Sequence, residues 1–166
     1  MRRVLTAFGV LAALCLGGCS YFGGGSRQAA QDNGFDVLQL QRTQWQQLAE
    51  QGDAEAEYQL GMSYCCGNGP GHTETVARKW LCRAALQGHE QAQLQLGRMY
   101  GWEIKKRRLA TPQVADYAYL WYSLAAAQGS QLAAGYLAAV EEYMSPSQIA
   151  RAQDWQSHPA DATDCG

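Results

Sequence analysis

The sequence predicts an all-α protein, an α/α superhelix of about two to three antiparallel helical hairpins with a C-terminal capping helix. Three observations predict it. First, the chain repeats itself: Ala56, Leu60, Gly61 and Tyr64 return 36 residues later as Ala92, Leu96, Gly97 and Tyr100. Ala77, Trp80, Leu81, Ala84, Ala85 and Gly88 return as Ala118, Trp121, Tyr122, Ala125, Ala126 and Gly129, an offset of 41. Second, the apolar positions within a copy keep helical spacing. Ala77, Trp80, Leu81, Ala84 and Ala85 fall on one face of a 3.6-residue helix. Third, Gly52, Gly88 and Gly129 follow the second helices, where a left-handed C-cap needs a residue without Cβ.

The chain opens with Arg2 and Arg3, an apolar run from Val4 to Leu16, and Gly17-Gly18-Cys19. A charged head, a short apolar middle and small residues at the cut describe a secretory signal over residues 1–18. The run is shorter than the ~20 residues needed to span a bilayer. A cysteine directly after the small residues resembles the signal of bacterial lipoproteins. That resemblance implies cleavage before Cys19, acylation of Cys19 with palmitate or a similar chain, and membrane attachment by lipid. Two or three acyl chains suffice for stable anchoring. Ser20, which is not an acid, implies the outer membrane, facing the periplasm, by the same analogy.

Residues 19–34 continue as SYFGGGSRQAAQDNG after the cysteine, too polar and glycine-rich to bury a core, and read as a flexible tether. The whole chain holds 13 basic and 15 acidic residues, and removing the signal takes away two arginines and no acid. Such a balance gives no argument for nucleic acid as a partner. Of six cysteines, Cys15 leaves with the signal and Cys19 carries lipid. Cys65, Cys66, Cys82 and Cys165 remain as possible disulfide partners in an oxidising compartment, with three pairings open. If Cys66 ends one helix and Cys82 lies well inside the next, their axial offset of ~13 Å exceeds the ~7 Å limit for a bridge. Distortion, or a partner such as Cys165, would be required.

The helical domain is expected over residues 35–158, with a tail over 159–166. An incomplete copy ends at Leu48-Ala49-Glu50-Gln51-Gly52, and two full copies follow. Gly67-Asn68-Gly69-Pro70-Gly71 separates the helices of the first. Five extra residues between Tyr100 and Ala118 place an inserted loop in the second. Gly61 and Gly97 sit inside helices, where glycine costs ~1 kcal/mol relative to alanine. Close approach of the paired helix would offset this, with Trp80 or Trp121 as the expected neighbour. Ala133, Leu137 and Ala138 form a third partial copy. Ser145-Pro146 then starts a last helix that would cover the open end of the stack.

The run Leu60-Gly61-x-x-Tyr64-x-x-Gly67-x-Gly69, followed by Ala77-x-x-Trp80 and Ala84-Ala85-x-x-Gly88, resembles a Sel1 repeat, a relative of the tetratricopeptide hairpins. So does Ala118-Tyr119-x-Trp121-Tyr122-Ser123-Leu124-Ala125-Ala126-Ala127-Gln128-Gly129. The resemblance implies a lipid-anchored, periplasmic protein–protein interaction module, an adaptor in an envelope or secretion-associated assembly. It also allows an immunity lipoprotein that neutralises a periplasm-targeted toxin, or a weak hydrolase of the cysteine-rich β-lactamase-like kind. Against the hydrolase, no Ser-x-x-Lys motif is present, and His72, His89 and His158 stand in no catalytic motif.

In helical hairpin arrays the first helix of each unit lines the concave face. Gln59 and Ser63, then Gln95, Met99 and Trp102, stand opposite the core stripe and are the expected partner-binding residues. Lys105, Lys106, Arg107 and Arg108, in the inserted loop, could meet an anionic partner, or simply keep the loop solvated. Tyr64, Trp80, Tyr100, Trp121 and Tyr122 read as packing residues. Adjacent Cys65 and Cys66 suit tetrahedral metal ligation with His72 poorly, so no metal or other cofactor and no catalytic residue are expected.

Overall fold

A computed structural model describes residues 39–65, 73–107 and 111–163. The described residues form helices and turns, with no strand among them. Residues 39–50 (α1) are followed by α2 (Ala54–Tyr64), α3 (Glu74–Leu86), α4 (Glu90–Arg107), α5 (Pro112–Ala127), α6 (Gln131–Glu141), α7 (Pro146–Trp155) and the short α8 (Pro159–Ala162). Neighbours in sequence pack as neighbours in space from α2 to α6, and α7 packs on α5. The expected signal peptide, Cys19 and tether lie outside the described residues, as do His72, Cys66, Arg108 and Cys165.

The turns form as their residues dictate. Gly52, Gly88 and Gly129 take φ of 88°, 87° and 101°, open to glycine at no steric cost. The residue after each closes the turn, as Ser130 N–H does by donating to Ala125 O at 3.2 Å. Helix starts are capped in different ways. Asp53 Oδ1 accepts from Ala56 N–H at 2.7 Å, and Ser145 and Gln148 form a reciprocal capping box for α7.

Small residues let the helices close up. A Cβ on Gly61 would stand 2.7 Å from Leu81 Cγ, and one on Gly97 2.5 Å from the Tyr122 ring. The close approach is as expected, but the neighbours are Leu81 and Tyr122, each one residue beyond the expected Trp80 and Trp121. Trp121 is instead fully buried in the main core, and Trp80 packs beside Ala49, Ala56 and Leu60.

Two expectations need correction. The basic run does not lie wholly in a loop, because α4 continues through Arg107. Through Arg107 the stretch after Tyr100 lengthens α4, and its Glu, Lys and Arg residues are good helix formers. The closing helix caps the array by returning to α5: Arg151 pairs with buried Asp116, Gln153 donates to Tyr119 Oη at 3.1 Å, and Trp155 stacks on Tyr117. Much of apolar α6 and the turn after it is therefore open, with Leu132, Tyr136 and Tyr143 exposed. The expected tail includes helical turn α8, whose Ala162 packs against the main core.

Candidate functional site

Gly97 and Gly101 stand one turn apart on α4 and together seat one side chain of α5. Tyr122 lies across Gly97, and its Oη would be 2.8 Å from a Cβ at Gly101. The Tyr122 ring is 3 % exposed, and the Tyr136 ring of α6 packs on it at a centroid distance of 5.3 Å. Three consecutive helices are thus tied by two rings and two glycines.

Tyr122 is the floor of a groove between α4 and α6, a cavity of about 780 Å³. That volume falls in the range of ligand sites, ~300–1,000 Å³. Ile104 and Val140 line its apolar depth. Trp102, Tyr136 and Tyr143 stand around it, 61 %, 41 % and 67 % exposed. Arg98 and Lys105 add two cations, and no carboxylate lines it among the described residues. Burial, and then neighbouring Tyr136, hold the Tyr122 phenol well above its usual range, while Arg98 works in the opposite direction. The phenol therefore stays protonated and able to donate. The chemistry on offer is contact: aromatic faces, two positive charges and a hydroxyl.

Among the residues expected to bind a partner, Trp102 lines this groove. The others are engaged within the fold. Gln59 donates to Glu55 at 2.7 Å, Ser63 Oγ donates to Leu60 O at 2.7 Å, and Gln95 donates to Cys65 Sγ at 3.4 Å. Met99, expected on the open face, is 9 % exposed and packed with Leu96 and Leu120 in the main core. It lies one turn beyond Leu96 and two beyond Ala92, on their buried side. Lys105 is exposed beside Trp102; Lys106 and Arg107 continue the helix. Arg98, Tyr136 and Tyr143 were not legible as site residues from the repeat pattern. The spacing Leu132, Tyr136, Ala139 on α6 and Tyr143 just after it carried the signal, a stripe at i, i+4, i+7 and i+11.

Cys65 and Cys82 are both buried in the main core, and both are disulfide-bonded. His89 is a structural residue: its ring stacks on Tyr58 at 4.6 Å and reaches Glu55 at 3.0 Å. Among the described residues no group of three or more His, Cys, Asp or Glu side chains could hold a metal ion. No helix there is long and apolar enough to cross a membrane.

A scan against protein-family models matches the Sel1 repeat at residues 54–89 and again at residues 90–130. A search of curated proteins finds no match. The first match covers α2 and α3, the second α4 and α5, each a helical hairpin closed by a left-handed glycine. The all-α hairpin stack over residues 54–130 is therefore similar to two consecutive Sel1 repeats.

Proposed function

We propose that this chain binds another protein in the groove between α4 and α6, and does so at a membrane surface, held by lipid on Cys19. Sel1 repeats typically serve as modules that bind other proteins. The observation that carries the reading is the set of Trp102, Tyr136 and Tyr143, large side chains left exposed around one cavity of about 780 Å³. Exposed apolar surface gathered in one concavity, not scattered singly, marks an interaction site. Aromatic side chains that present much area and few rotatable bonds are favoured as anchors. The partner in this reading is a component of an envelope or secretion-associated assembly.

Cross-linked capture from envelope extract tests the binding. A protein retained by the wild-type chain and lost with Trp102→Ala plus Tyr143→Ala supports the groove. Equal retention by both chains overturns it. The anchor rests on the sequence alone, on Gly17-Gly18-Cys19 after a short apolar run. Metabolic labelling with a palmitate analogue should mark the wild-type chain and leave Cys19→Ser unlabelled; label on both would overturn the assignment.

A further inference from the structure

Tyr122 is 3 % exposed, yet its hydroxyl makes no hydrogen bond to a described residue and lines the groove. The ring is buried while the hydroxyl faces the groove, where it can donate to a bound group. Gly97 and Gly101 hold the ring where it is: any side chain at either would push it away. Beside this hydroxyl stand Arg98 and Lys105, and neither makes an ion pair with a described residue. Arg78, Arg83 and Arg151, by contrast, each pair with a carboxylate of the fold. Glu141, the last residue of α6, and Glu142, its C-cap, follow Val140 but do not line the groove.

Resting on the reading that the groove binds a protein, we propose the chemistry of the bound segment: an extended acidic stretch with an aromatic or large apolar residue beside its carboxylate. The carboxylate accepts from Tyr122 Oη and faces Arg98 and Lys105, while the apolar side chain enters between Trp102 and Tyr143. Hydrogen bonds from a hydroxyl to a charged acceptor are the stronger kind, and opposite charge at the rim sets encounter and register. A chain of net charge −2 that gathers two cations, neither ion-paired among the described residues, around one aromatic groove favours anionic segments there.

The test is selection of linear peptides from a random displayed library on the purified full chain. Affinities of the selected peptides are then read by fluorescence anisotropy. Selected sequences should place Asp or Glu beside Phe, Trp or Leu, and their binding should weaken with added salt. Arg98→Glu plus Lys105→Glu should weaken binding about tenfold or more. Tyr122→Phe keeps the ring and should weaken it about tenfold without lowering thermal stability. Peptides that require Trp102 and Tyr143 but carry no acid, or that bind the charge-reversed chain equally, overturn this inference and leave the groove reading standing. Peptides indifferent to Trp102→Ala plus Tyr143→Ala, or no selection at all, overturn both. Charge-dependent binding to phosphatidylglycerol vesicles with none to peptides would also overturn it, assigning the cations to a lipid surface.

Discussion

Gln87, at the end of α3, donates to the buried carboxylate of Glu57 on α2 at 2.7 Å. One repeat later Gln128 donates to Gln93 at 2.7 Å, and Gln93 itself donates to Ala85 O at 3.0 Å. The same pair of positions therefore closes both hairpins, once with a carboxylate and once with an amide. Arg83 Nε, 2.8 Å from Glu57, accompanies the charged version.

Glu57→Gln should change stability by less than about 1 kcal/mol at neutral pH, since an amide already fills the equivalent position 93. Burial raises the Glu57 carboxyl above its usual range, with Arg83 and Gln87 opposing. The folded chain thus holds this proton more tightly than the unfolded chain. The resulting stability is fully present below the unfolded value and is lost as pH rises through the folded one. Urea midpoints at about pH 7 and pH 5 should show wild type gaining on Glu57→Gln as pH falls. The opposite slope would show that Arg83 dominates.

Gly97→Ala and Gly135→Ala should move stability in opposite directions. At Gly97 the new Cβ meets the Tyr122 ring at 2.5 Å, while at Gly135 nothing lies within 4 Å. Overpacking of this kind costs about 1–3 kcal/mol. In an open helical position the same change stabilises by about 0.5–1 kcal/mol. Melting temperatures of the two variants decide this.

Arg151→Ala should destabilise by about 3 kcal/mol, because it strands the charge of Asp116 in the core. Arg151 Nε donates to Asp116 Oδ2 at 2.9 Å, and Asp116 is 1 % exposed. Adding Asp116→Asn should restore about half of the loss or more, since the cost lies in the unpaired charge. Urea unfolding of the single and double variants measures it.

His89 caps α4 in the place where Asp53 caps α2: Ala92 N–H donates to His89 Nδ1 at 3.2 Å. His89→Ala should cost about 1 kcal/mol, and His89→Asn, which keeps an acceptor at the cap, should cost less. Equal losses in thermal denaturation would show that the ring stack on Tyr58 matters more than the cap.

Repeat spacing and glycine punctuation made the hairpins legible. A 3.6-residue period and a left-handed cap are local properties of the chain, and the structure shows both at Gly52, Gly88 and Gly129. Trp102 was legible as an exposed residue on a first helix. Met99 was misplaced because a residue at the edge of a helical stripe turns inward or outward according to the neighbour that packs there. The groove escaped the repeat pattern because α6 diverges from the copies before it, and its aromatic residues match nothing upstream.

By itself the sequence determined the helical hairpins, their order, the glycine C-caps, the Ser145-Pro146 start and the need for close contact at Gly61 and Gly97, because each follows from steric rules acting within a few residues. Only the tertiary structure decided that Leu81 and Tyr122 fill those contacts, that α7 returns to α5, and that Arg98, Trp102, Tyr122, Tyr136 and Tyr143 surround one cavity. Those outcomes depend on which faces meet when helices stack, a matter of side-chain volume and burial across distant segments that no local period encodes.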